Sequence, residues 1–274
     1  MPPILLLRLR PYFALVRLAF HKQLAYRAAN LAGFITNSFF SALRAAIVIA
    51  LYSAQPAGTL VGGYSLQDAV TYTGVAQALL NWIALWGWWD ILLAVKSGDV
   101  ATDLQRPIGF FWYWCAQDFG RACAQMLLRG VPILLLYAAL YPITWPNGLA
   151  QSLGVLVVLL LAWFISFAWR FLYSLAAFWS NDARGFGRMA VFIATFASGF
   201  MMPLGFFPDW VQRLLRALPW AAIVNTPVEA FVNVVTGEAL ILAIGQQVFW
   251  AVALCLLAHG VLLAGSRKLA VDGG

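Results

Sequence analysis

Side chains able to do chemistry are sparse in this chain: 10 Asp and Glu, 17 Lys and Arg, two His and three Cys among 274 residues. His21 and His259 are isolated, and no Ser/His/Asp set, carboxylate pair or metal-ligand spacing groups the others. Cys115 and Cys123 on one helix would lie about 12 Å apart, beyond disulfide reach. No G-x-x-x-x-G-K-[ST] run occurs, so ATP hydrolysis through a phosphate loop is excluded for this sequence. What remains is recognition chemistry. Arg44, Gln77 and Asn81 sit inside apolar runs, with Arg44 and Asn81 roughly 21 Å from one end of their helices. An Arg44 contact to Gln77 or Asn81 is therefore open, and it would either meet an anionic group of a cargo or tie two helices together. Trp82, Trp86 and Trp89 share a helix face at i, i+4 and i+7, suited to packing, lipid contact or stacking on a flat ligand. Asp90 and Arg170 are candidates for a structural ion pair. Glu229, in Thr226-Pro227-Val228-Glu229, reads as part of a helix cap rather than a cation or substrate site. Asp118, Arg121 and Arg129 make their segment the most polar, and its first turns read as interfacial.

The elements that must hold these residues follow from composition. Hydrophobic residues are 63% and charged ones 10%, with a mean hydropathy of +0.83. A soluble domain is about a quarter charged, so disorder, nucleic-acid binding and a soluble enzyme domain are all disfavoured. At about 20 residues per crossing, six spans with short connections fit. The expected fold is all-α: one polytopic transmembrane domain over 1–274, with six transmembrane helices, an N-terminal interfacial helix and a short outer helical hairpin before the last span. No cleavable signal is expected, because Arg8 and Arg10 interrupt the first apolar run.

Residues 8–27 wind best as the interfacial helix, with Arg10, Arg17 and His21 on one stripe. Spans are expected at about 30–53, 65–95, 110–141 with a kink at Pro132, 149–179, 189–204 and 238–264. Ser65 with Asp68 marks the start of the second, and Asn181-Asp182 the stop of the fourth. The amphipathic piece opened by Phe207-Pro208-Asp209-Trp210 places the outer hairpin at 206–236. Eleven loop or terminal Lys and Arg fall on the side of the two termini, against Arg213 and Arg216 on the other. By the positive-inside rule both termini are cytoplasmic.

The cytoplasmic loop 97–107 carries a capped start (Ser97 or Asp99) and a helix-stopping Pro107, enough for about two turns of helix. Its Gly98, Leu104, Arg106 and Pro107, together with the segment from Ser198 to Pro208 and Leu218-Pro219, resemble the permease subunits of type-2 ABC exporters. The likeness is to the six-span subfamily with a Gly…Leu-x-Arg-Pro loop, and by topology it covers nearly the whole chain. It implies that an interfacial helix and this loop dock on a separate ATPase, which closes on ATP and opens a path between two permeases. Gly98, Asp99, Asp103, Leu104, Arg106 and Pro107, with Arg10 and Arg17, would be the coupling residues. Arg44, Gln77, Asn81, Trp82 and Trp86 would line the path. Expected partners are an ABC ATPase, a second permease (identical or related) and membrane lipids, with no nucleic acid. No cofactor or metal is expected in this chain, ATP and Mg belonging to the ATPase. A bacterial plasma membrane is the expected location. The alternative is a self-contained secondary transporter, for which neither inverted repeats nor broken helices with midplane carboxylates are evident. A membrane enzyme and a scaffold are further rivals.

Overall fold

A computed structural model describes residues 3–87, 89–180 and 183–272, with side chains placed for 9–87, 89–180 and 183–268. Among the described residues the chain is helical, with one isolated β-bridge between Val61 and Tyr64. Helix α1 (Pro3–Ala25) bends at Tyr26 into α2 (Arg27–Ser53). Then come α3 (Leu66–Ile83), α4 (Asp90–Ser97) and α5 (Val100–Leu104). Helix α6 (Phe110–Gln125) runs through a π-helical turn, Met126–Gly130, into α7 (Val131–Leu140). Helix α8 (Gly148–Ser174) ends in a 3-10 turn, Leu175–Phe178. After α9 (Ala183–Ala197) follow α10 (Asp209–Ala217), α11 (Asn225–Phe231) and α12 (Gly237–Asp272).

Four of these runs are long and apolar enough to cross a bilayer: Arg27–Ser53, Phe110–Leu140, Gly148–Phe178 and Gly237–Lys268. The other two expected spans differ in kind. The second, expected as one helix over 65–95, is broken: Ala84 (φ 48°) and Gly87 (φ 96°) adopt left-handed backbone, which ends α3 and re-aims the chain into α4. Most of α3 is buried among its neighbours, including Thr71, Thr73, Gln77 and Asn81. A helix shielded from lipid by protein can carry such polar residues, which is why its hydropathy is low. Where the fifth was expected, over 189–204, the helix is α9, 15 residues ending at Ala197, because Ser198 and Gly199 turn the chain.

Local signals worked where the chemistry is local. Ser65 Oγ accepts from the Asp68 amide at 3.2 Å while Asp68 accepts from the Ser65 amide at 3.2 Å, a complete capping box. The irregularity expected at Pro132 lies one turn earlier, in Met126–Gly130, with Pro132 in the first turn of α7, where its missing N–H is tolerated. The expected stop at Asn181 and Asp182 lies outside the described residues.

Helix α3 is the hub of the larger core, against α2, α7, α8 and α11. A second core joins α4, α5, α6, the end of α8 and α12. Helix α1 runs alongside α6 in the same direction: Val16 and Ala19 lie over Gly120, where a side chain would strike backbone, and Gln125 Nε2 donates to Gln23 Oε1 at 2.7 Å. Arg10, Arg17 and His21 stay on the exposed side.

Candidate functional site

The loop between α4 and α6 forms from the end of α4 outward. Gly98 caps α4 in left-handed backbone (φ 84°), so a residue with a Cβ there is strained although the space is open. Ser97 Oγ donates to Asp99 Oδ2 at 2.7 Å, and the chain then makes α5, a single five-residue turn rather than two. Val100 and Asp103 are buried, and Leu104 is half-buried against the inner core. Arg106 Nε donates to Asp103 Oδ1 at 2.9 Å and its guanidinium sits 4.8 Å from the Tyr113 ring centroid. The Asp103 bond raises the Arg106 pKa above its ordinary value, so the group keeps its charge at any working pH. Of the expected coupling residues, Gly98, Asp99, Arg106 and Pro107 are exposed, whereas Asp103 and Leu104 point inward.

Behind the loop lies a cluster that the sequence reading missed. Asp118 is fully buried and accepts four hydrogen bonds. Arg170 supplies two (3.0 and 2.7 Å), Arg121 Nε one at 2.7 Å and the Trp163 indole one at 2.9 Å. The expected Asp90–Arg170 pair does not form. Asp90 is exposed in the first turn of α4, because the break at 84–89 carries it off the axis of α3. Asp118 and Arg121, in the later turns of α6, are both buried against neighbouring helices.

The cluster also closes the broken helix. The last carbonyls of α3 have no helical partners past the break. Arg121 Nη1 and Nη2 donate to the carbonyls of Asn81 and Trp82, both at 3.3 Å, and Ser166 Oγ donates to that of Ile83 at 2.6 Å. Irregular backbone inside a membrane protein needs such partners, and cations suit the negative end of the helix dipole.

The candidate path residues divide. Arg44 Nη1 donates to Gln77 Oε1 at 3.3 Å, the contact expected from helix rise, and Gln77 Nε2 donates to Asn37 Oδ1 at 3.2 Å. Arg44 also donates to the carbonyls of Phe200 and Met201 and lies 4.6 Å from the Phe200 ring centroid. Asn81 does not join: its side chain turns back on the Ala78 carbonyl at 3.4 Å. The three tryptophans share no face, because the helix ends between them. Trp82 donates to the Leu159 carbonyl at 2.8 Å, Trp86 is 49% exposed against Phe200, and Trp89 packs against Tyr173.

Glu229 is not a cap either. Buried at 1% exposure, it accepts from Tyr64 Oη at 2.6 Å and from Arg216 Nη1 at 2.7 Å, fastening the 206–236 segment to the loop before α3. Helix α11 starts two residues earlier than the capping pattern implied, after Val224, with no side-chain cap. The burial of Glu229 and its partner 13 residues earlier carry no local sequence signal.

Residues 41–273 match the family model described as ABC-2 family transporter protein. No curated protein matches the chain.

Proposed function

The chain belongs to the ABC-2 transporter family, as a multi-pass membrane component that is not itself catalytic, and on that premise we propose that it is a permease subunit of an ATP-driven exporter. It works as a dimer with an identical or related permease, in a bacterial plasma membrane with both termini cytoplasmic. Its six crossings are α2, the broken pair α3–α4, α6–α7, α8, α9 and α12. Separate ATPase subunits hold the ATP and Mg.

The observation that carries this reading beyond the family is the division of labour in the loop 97–107. Asp103, Leu104 and Val100 fix its shape from inside, while Gly98, Asp99, Arg106 and Pro107 face outward to meet a partner. A push on α5 is passed to α4 and so to the break at 84–89, which Arg121 holds against α6. Arg10 and Arg17, exposed on α1, add cationic contacts at the same end. On the path, Arg44 with Gln77 is the polar contact, and Trp86 and Phe200 are its aromatic neighbours. Asn81 and Trp82 serve the α3 break instead.

Affinity purification from native membranes in mild detergent, followed by mass spectrometry, tests this. A near-stoichiometric ATPase carrying a phosphate loop is expected, and it should be lost when Asp99 and Arg106 are both replaced by residues of opposite charge. Arg44→Gln should then reduce export at normal protein levels, and unchanged export would remove it from the path. The break in α3–α4 is the feature that favours a secondary transporter. Both deeply buried carboxylates, Asp118 and Glu229, are however held by arginines, which leaves no free proton-carrying group there. A chain that purifies alone while other complexes survive would favour that alternative.

A further inference from the structure

A cleft of about 430 Å³ opens between α2, the broken end of α3 and α6, lined among others by Gly33, Thr36, Asn37, Asn81, Arg121 and Arg129. No carboxylate lines it. Of its two arginines, Arg121 is paired with Asp118 from behind and Arg129 is not. Asp118 pairs with both Arg121 and Arg170, so that cluster keeps one positive charge in excess. Arg129 enters no ion pair among the described residues. Arg129 Nη2 donates to the Ala29 carbonyl at 2.8 Å and to Asn30 Oδ1 at 3.0 Å, while its Nε has no hydrogen-bond partner. Gly33 is required for this arrangement: a Cβ there would run into the guanidinium, with Nε at 2.8 Å.

The surroundings are of the opposite character. Leu31, Ile35 and Phe39 are exposed on another face of α2, and Leu127, two residues before Arg129, is exposed as well. A half-buried cation without an ion partner, such as Arg129, is costly in an apolar protein unless something offsets it. The forked donors of arginine match the oxygens of phosphate.

We propose that this cleft is a binding site for a phosphate-bearing anion, with Arg129 and Arg121 as its cationic contacts and Thr36 and Asn37 as neutral polar ones. The site lies within one subunit and does not depend on the export scheme or on a dimer. The same chemistry serves a lipid headgroup or a free phosphorylated compound.

The full chain, purified and delipidated in non-ionic detergent, is titrated in native mass spectrometry with dioleoyl phosphatidylglycerol, dioleoyl phosphatidylcholine and inorganic phosphate. Phosphatidylglycerol should bind at least several-fold more tightly than phosphatidylcholine. Arg129→Gln should weaken it about tenfold, the effect of losing one charge-assisted contact. Ala32→Phe adds bulk to the cleft from an exposed lining position and keeps both arginines, and should weaken it similarly. Arg213→Gln, on exposed α10, should change nothing. Displacement of the lipid by millimolar phosphate, sensitive to Arg129, assigns the site to free phosphorylated compounds; lipid binding that phosphate leaves intact assigns it to headgroups. Wild-type phosphatidylglycerol affinity in Ala32→Phe, or in a folded Arg129→Gln, overturns the proposal.

Discussion

Two Asp-x-x-Arg pairs lie 15 residues apart in the chain, Asp103–Arg106 and Asp118–Arg121, and they end in opposite environments. Both close at i, i+3 with Nε to Oδ1 distances of 2.9 and 2.7 Å. The Arg106 side chain is 44% exposed, whereas the Asp118 side chain is at 0% and Arg121 at 10%. The first pair shapes a loop that faces water. The second is completed from another helix by Arg170 and gives one donor from each Nη of Arg121 to the end of α3. Identical local spacing therefore says nothing of energetic weight, which is set by what the rest of the fold packs around the pair.

The largest expected effect follows from that difference. Asp118→Asn leaves two guanidiniums facing each other in a dry site, and removing one partner of a buried pair costs about 3–5 kcal/mol. Thermal unfolding in detergent should show it as a large drop, together with loss of order around the α3 break. Asp118→Asn combined with Arg170→Met should recover much of the loss, because it leaves fewer unpaired buried charges. A single variant that melts like the wild type would erase the distinction between the two pairs.

The outer pair, Glu229–Arg216, sharpens the comparison from between. Glu229 is as buried as Asp118, but the side chain of Arg216 is 39% exposed. In Glu229→Gln the arginine can turn to water, so the expected loss is only about 1–3 kcal/mol. The amide should still accept from Tyr64. A fluorescence or hydrogen-exchange readout on 206–236 should report local loosening ahead of global unfolding. A loss equal to that of Asp118→Asn would mean that carboxylate burial alone, and not the partner's access to water, sets the cost.

The same contrast explains what was legible in the sequence. The Ser65–Asp68 box was readable because its cause lies within four residues. Of the two partners left open for Arg44, Gln77 makes the contact, because both residues lie inside unbroken helix, α2 and α3. The Asp90–Arg170 pairing failed because it extrapolated one helix through residues 84–89. Gly87 is the local hint of that break, but Ala84 in left-handed backbone has none, and the side chains that stabilise it come from α6 and α8. Trp82, Trp86 and Trp89 lost their common face for the same reason. Glu229 matched a capping pattern that explained its position, although its burial is decided by Tyr64, which lies 165 residues away.

The smallest stability effect is expected at the exposed pair, and there it separates folding from function. Arg106→Ala removes a water-facing ion pair and a contact with the Tyr113 ring, and exposed pairs of this kind contribute little. The melting temperature should stay within experimental scatter of the wild type. If the loop couples to an ATPase, the same substitution should nevertheless weaken recovery of that ATPase in pull-downs from native membranes, because Arg106 is one of the four loop residues expected to couple that face outward. Asp103→Asn is the informative partner variant, since Asp103 is buried and only positions Arg106. It should weaken the interaction less than Arg106→Ala, and raised salt should reduce ATPase recovery by wild type more than by Arg106→Ala. Full ATPase recovery with Arg106→Ala would confine this arginine to shaping its own loop, and the coupling contact would then rest on Asp99 and the basic face of α1.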